Sequence, residues 1–114
     1  MSSPLTTHVL DTAAGTPARG LPIALEKMID GAFVVLGAGE TNDDGRLDDP
    51  LLTPEQWGVG CYRIRFETGV YFARSMTTGF YPYVEVVFEV RHPEQHHHVP
   101  LLLSPHGYST YRGS

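Results

Sequence analysis

The sequence predicts an all-β protein, an antiparallel β-sandwich of seven or eight short strands with one short helix. Three observations predict it. Apolar and β-branched residues come in short alternating runs, and turn residues interrupt those runs about every ten positions. The 12 Gly and 9 Pro fall between the runs rather than in tracts. At 114 residues one domain spanning 1–114 is expected, long enough to bury a single core. Its 41% hydrophobic and 18% charged residues are ordinary for a globular protein.

Leu5-Thr6-Thr7-His8-Val9-Leu10-Asp11 reads as the first strand, ended by a turn at Ala14-Gly15-Thr16-Pro17. Alternation puts Thr6, His8 and Leu10 on one face and Leu5, Thr7 and Val9 on the other. Leu21 to Ile29 is the second strand, and Pro22 near its start costs little there. Asp30-Gly31 is a hairpin turn, and Phe33-Val34-Val35-Leu36 returns from it. Glu40 to Leu47 is polar, with a tight bend at Asp44-Gly45 just before Arg46. Within Leu51 to Trp57, Thr53 followed by Pro54 reads as the start of a helical turn. Cys61 to Glu67 alternates cleanly, with Tyr62, Ile64 and Phe66 inward and Arg63, Arg65 and Glu67 outward. Val70 to Met76 is the place for the one short helix. Val84 to Val90 is a strand with Val84, Val86, Phe88 and Val90 inward, and His97 to Leu103 and Tyr108 to Tyr111 complete the set.

The formal net charge of −5 and the lack of any Lys/Arg-rich stretch argue against a nucleic-acid partner. No segment approaches the ~20 apolar residues of a membrane span, so no membrane partner is expected. Met1 to Leu10 has neither a basic region nor an apolar core of signal-peptide type. The single cysteine, Cys61, rules out an internal disulfide and fits a reducing, cytoplasmic setting. As a nucleophile Cys61 is a weak candidate, because it lies in a strand where a buried cysteine is the common case.

The last strand carries the densest information. Val99, Leu101 and Leu103 form a core face, so His96, His98, Pro100 and Leu102 point away from the sandwich interior. An outward Leu102 beside Pro100 suits cover by a second subunit, which would leave the histidines lining a cleft between subunits. His96 and His98 project to one side, roughly 6.5–7 Å apart. That could chelate zinc, but no Cys or carboxylate stands at a recognised zinc spacing, so no metal site is expected.

Several segments resemble the transthyretin-like family. They are Leu5-Thr6-Thr7-His8-Val9-Leu10-Asp11, Gly20-Leu21-Pro22, Thr41-Asn42-Asp43-Asp44-Gly45-Arg46, Tyr71-Phe72, His98-Val99-Pro100-Leu101-Leu102-Leu103-Ser104-Pro105 and the terminal Tyr108-Ser109-Thr110-Tyr111-Arg112-Gly113-Ser114. The resemblance spans nearly the whole chain and is most specific at Tyr111-Arg112-Gly113-Ser114. It is to the branch that hydrolyses 5-hydroxyisourate in urate degradation. It implies a two-sheet sandwich with one short helix and a homotetramer built as a dimer of dimers, with active sites in the channel between dimers. It implies no cofactor. By the same resemblance His8, Arg46, His98 and Ser114 are catalytic, and Arg46, Tyr111 and Ser114 touch substrate. The family commonly has His-Tyr-His where this chain has His96-His97-His98, which puts His97 at the variable middle position.

The implied chemistry needs these residue types. Opening a planar, oxidised purine by water attack on a ring carbonyl requires a base that works near neutral pH, and imidazole supplies one. A fixed guanidinium suits the electron-rich ring. Ser114 offers a hydroxyl or a terminal carboxylate to orient substrate and water. Which of His8 and His98 is the base stays open at this level. The rival reading is a non-catalytic carrier of the transthyretin type, for which a polar proton-transfer site would be superfluous. His92 and His106 read as loop residues, and Tyr111 and Arg112 also suit a packing role that holds Ser114.

Overall fold

The computed structural model describes residues 3–113. Period-2 alternation becomes eight strands: β1 (Leu5–Asp11), β2 (Thr16–Pro17), β3 (Pro22–Ile29), β4 (Ala32–Glu40), β5 (Gly60–Phe66), β6 (Val84–Val90), β7 (His97–Ser104) and β8 (Gly107–Thr110). They form two four-stranded sheets, ordered β2-β1-β7-β8 and β4-β3-β5-β6. One helix, α1 (Thr68–Arg74), follows β5. It starts two residues before the expected Val70, because Thr68 is fully buried and anchors the first turn. A single 3-10 turn at Pro54–Gln56 follows Thr53; the Gln56 side chain accepts the Thr53 N–H at 2.8 Å.

The inward faces meet as alternation predicts. Leu5 and Val9 of β1, Ile23 and Leu25 of β3, Tyr62, Ile64 and Phe66 of β5, and Val99, Leu101 and Leu103 of β7 are all buried. Each such aliphatic or aromatic side chain contributes roughly 1.5–3 kcal/mol by leaving water. The Tyr62 hydroxyl accepts the Gly58 N–H at 3.0 Å, so this large ring reaches the core with its polar end satisfied. On β6 the expected inward set divides: Val84 and Val90 are buried, while Val86 and Phe88 are only half-buried. β6 is the outer strand of its sheet, so its middle is covered from one side only.

Three local features depart from the sequence reading. β4 runs on to Glu40 rather than ending near Leu36, with a bulge opposite Leu25 and Glu26 that leaves Leu36 without a partner. Thr16–Pro17, expected as part of a turn, pairs with Leu10 and Asp11 as a two-residue strand. The sheets are antiparallel except at one place: β1 and β7 pair in parallel, from Leu5 opposite His97 to Asp11 opposite Leu103. Strand alternation looks the same in both directions, so sequence pattern does not report this.

The buried Asp11 side chain closes the far end of β1. One carboxylate oxygen accepts the N–H groups of Ala13 and Ala14, and the other accepts the Tyr71 hydroxyl of α1 at 2.7 Å. Burial, then this bond, pushes the Tyr71 phenol up to about 12, so it stays neutral and donating. Among the described residues no helix is long and apolar enough to cross a membrane.

The loop after β4 is tied to β1 by the Val9 N–H donating to the Gly45 carbonyl at 2.9 Å. Gly45 has φ +75, and a Cβ there would lie 2.3 Å from the Val9 carbonyl oxygen. Gly45→Ala is therefore expected to lower stability by about 2 kcal/mol, read as a lower urea midpoint with unchanged slope. A wild-type midpoint would show that the loop moves aside freely.

Candidate active site

The site begins with the parallel register. Thr6 lies opposite His98 and His8 opposite Pro100. Thr6, His8 and His98 are half-buried, whereas their neighbours Thr7, Val9 and Val99 are buried. All three therefore project from the outer face of the β2-β1-β7-β8 sheet. One strand across and two residues along puts the His8 and His98 backbones roughly 8 Å apart, a span that a small planar molecule and a water can bridge. Pro100 is buried although it shares that outer face, and Leu102 is half-buried.

The Arg46 loop is built to lie over β1. The Asn42 side-chain oxygen accepts the N–H groups of Asp44 at 2.9 Å and Arg46 at 3.1 Å. The Asn42 amide donates to Asp48 at 2.9 Å, and the Asn42 N–H donates to the Arg46 carbonyl at 2.7 Å. An asparagine that satisfies its own loop this way sets a rigid turn. His8 joins it: its Nε2 donates to the Asp44 carbonyl at 2.8 Å. A carbonyl can only accept, so the proton on Nε2 of His8 is determined by the partner. Arg46 itself is exposed.

His98 is held from two sides. Its Nδ1 lies 2.9 Å from the Thr6 hydroxyl, which also lies 3.0 Å from His96 Nε2. On the other side the tail returns: the Gly113 N–H donates to the His98 carbonyl at 2.7 Å, as an isolated antiparallel bridge. A Cβ on Gly113 would sit 2.8 Å from the His98 ring carbon Cδ2, so only glycine lets the tail pass this close. The tail is held further by Thr110 donating to the Pro100 carbonyl at 2.7 Å and by Arg112 donating to the Gln95 side chain at 3.1 Å. Partial burial, then the nearby Arg46, His8 and His96, pushes the His98 imidazole below the ordinary histidine value, against an opposing hydrogen bond to the Thr6 backbone. His98 is thereby kept neutral at neutral pH, the state a base requires.

The residues expected from the sequence thus divide. His8, Arg46 and His98 come together. Ser114 lies outside the described residues, next to the Gly113 that bridges to His98. Tyr111 lies elsewhere: it lines a groove of ≈ 460 Å³ with Val86, Phe88 and His97, which contains none of His8, Arg46 and His98. His97 is buried, donates from Nδ1 to the Gln95 carbonyl at 2.9 Å and packs edge-on against Trp57. His92 and His106 are exposed loop residues. Cys61 is half-exposed on β5, on the face opposite Tyr62 and away from the histidines. The Thr6 hydroxyl occupies the space between His96 and His98 that a shared metal would need, and no group of three or more potential ligands is arranged for a metal among the described residues.

Sequence reading missed Thr6, Asn42 and Gly113. Alternation alone puts Thr6 on the face of His8, but its contact with His98 depends on the parallel register.

A family model described as the HIUase/Transthyretin family matches residues 5–113. Among curated proteins, the chain is 50% identical to a mouse 5-hydroxyisourate hydrolase, over 99% of this chain and 97% of that protein. It is 45% identical to one from Halalkalibacterium halodurans, over the whole of both. Among solved structures it is similar to Klebsiella pneumoniae 5-hydroxyisourate hydrolase, with a TM-score of 0.81, 34% identity and coverage of 96% of this chain and 98% of that one. Sea bream transthyretin in complex with thyroxine gives a TM-score of 0.90 at 34% identity, over 97% and 95%.

In a proton NMR titration, the His98 ring is expected to titrate below the ordinary imidazole value. Arg46→Ala should move that midpoint upward, since removing a cation favours the imidazolium. An unmoved midpoint would separate Arg46 from the histidine pair.

Proposed function

This chain belongs to the HIUase/Transthyretin family, and from that premise we propose that it is an enzyme that hydrolyses 5-hydroxyisourate to 2-oxo-4-hydroxy-4-carboxy-5-ureidoimidazoline in urate degradation. The observation that carries this reading is His98: half-buried, with a lowered pKa, on the same sheet face as His8 and within the field of Arg46. The 5-hydroxyisourate hydrolases among its relatives supply the substrate class. A carrier of the transthyretin type shares the fold, but a histidine kept neutral beside a guanidinium serves proton transfer, not passive binding.

His98 is the base in this account. Its Nδ1 is engaged by Thr6, which leaves Nε2 to take a proton from water as the water oxygen bonds to a ring carbonyl carbon. The charge that develops on the carbonyl oxygen is met by the Arg46 guanidinium. The ring C–N bond then breaks, and the proton held by His98 passes to the departing nitrogen. His8, tied to the Arg46 loop through Asp44, holds substrate and loop in one arrangement. Ser114 completes the set as a substrate-orienting group. Arg112 acts on substrate through the tail, by keeping Gly113 against His98. The whole of 1–114 works as one domain.

The active unit is a homotetramer, a dimer of dimers. The outer face that carries His8 and His98 also carries the half-buried Leu10 and Leu102, which a second copy would cover. No cofactor takes part, and the single unpaired Cys61 favours the cytoplasm.

His98→Ala is expected to lower kcat by roughly 10²–10⁴-fold, read as the decay of 5-hydroxyisourate made in situ from urate. Wild-type turnover in that variant would overturn the assignment. In the wild type kcat/KM should fall as acid protonates His98, with the acid limb below the ordinary imidazole value. Appending one residue after Ser114 should abolish activity while leaving the tetramer mass in ultracentrifugation unchanged. Full activity of the extended chain would remove Ser114 from the site.

A further inference from the structure

We infer that Thr6 and His96 are positioning residues, which hold His98 in the tautomer with its proton on Nδ1 and so keep Nε2 bare. The inference deepens the hydrolase reading and rests on it for the direction of the hydrogen-bond chain and for its catalytic consequence.

The Thr6 hydroxyl has one proton and stands between two imidazole nitrogens, at 2.9 Å from His98 Nδ1 and 3.0 Å from His96 Nε2. It can donate to only one of them and must accept from the other to bond both. In one direction His98 Nδ1–H donates to Thr6, and Thr6 donates to His96 Nε2. In the other, His96 donates to Thr6 and Thr6 donates to His98 Nδ1, which places the His98 proton on Nε2 and removes its basic lone pair. Only the first direction leaves a base facing outward. His96 is exposed, and its ring makes no other hydrogen bond among the described residues, so it can take the required tautomer with its proton on Nδ1. His8 is set the opposite way, because its Nε2 proton goes to the Asp44 carbonyl. The two histidines of the face would then hold complementary protonation patterns, each determined by a neighbour on another element.

Position supports the role. Thr6 is half-buried on the outer face of β1, and its register partner is His98. The charged and titratable groups around these hydrogen bonds are Arg46 from the loop after β4, His8 from β1, and Arg112 from the tail, which donates to the His96 carbonyl at 3.4 Å. None of them contacts the Thr6 hydroxyl, so loss of the hydroxyl leaves their own hydrogen bonds intact.

The test is ¹⁵N NMR of histidine-labelled protein without substrate at about pH 8, above the imidazole range near ~6.5, with the His98 signals assigned by their loss in His98→Ala. Wild type should show His98 with the proton on Nδ1. Thr6→Val, which keeps the branched shape on the strand, should move population to the Nε2–H form, and Thr6→Ser should restore the wild-type pattern. His96→Ala should shift it the same way as valine, since a hydroxyl released from His96 can turn and donate to Nδ1. In turnover, Thr6→Val should lose roughly 10- to 100-fold in kcat, a part of what a general base supplies, with KM nearly unchanged and rescue by serine. A wild-type His98 protonated on Nε2, or a tautomer unmoved in Thr6→Val, would overturn the inference. Those spectra do not depend on the substrate, so they separate its failure from failure of the hydrolase reading, which wild-type turnover by His98→Ala would show.

Discussion

The site depends on one backbone constraint, the parallel pairing of β1 with β7. These strands come from opposite ends of the chain, and their register sets Thr6 beside His98 and His8 beside Pro100. A slip of either strand by one residue would turn that strand's histidine, His8 or His98, into the core and bring its neighbour, Thr7 or Val99, out. That slip is opposed by the buried Val9, Leu101 and Leu103. The Thr7 hydroxyl opposes it too, donating to the Val99 carbonyl at 2.6 Å inside the sheet. The packing that stabilises the sandwich is thus the same packing that aligns the polar face.

Two irregular segments are then added to that face. The loop from Asn42 to Arg46 is closed by the Asn42 side chain and tied to β1 through Gly45 and His8. The tail runs back past His98 because Gly113 has no side chain to obstruct it. Loops that carry functional groups on a rigid sheet are a common division of labour. Here each segment is anchored to a histidine-bearing strand, and the first carries the Arg46 charge that acts on His98. The lowered pKa of His98, caused by burial and then by Arg46, His8 and His96, is the electrostatic result.

Much of the fold was legible because half-buried strands show their two faces as alternation. Tyr62, Ile64 and Phe66 of β5, and Val99, Leu101 and Leu103 of β7, are buried as that pattern requires. The outward placement of His98 followed from the same rule. What alternation does not encode is which strands are neighbours and in which direction they run, so the parallel pair and the Thr6 contact were hidden. β4 beyond Leu36 was hidden for another reason: Gly37-Ala38-Gly39 has no large apolar residues to alternate. His8 and Arg46 took their functional reading from family resemblance, since a lone strand histidine and a turn arginine are unremarkable in isolation. Tyr111 was expected at the substrate; it borders the groove shared with Val86 and Phe88 of β6, which contains none of His8, Arg46 and His98.

The central claim is that this polar face turns over 5-hydroxyisourate rather than merely binding a planar ligand. The direct measurement is the ultraviolet decay of 5-hydroxyisourate generated from urate, followed with catalytic amounts of the wild-type chain. The account predicts that decay accelerates in proportion to enzyme concentration and saturates with substrate. Decay at the uncatalysed rate, with the compound instead retained stoichiometrically by the protein, would contradict it and mark the chain as a carrier.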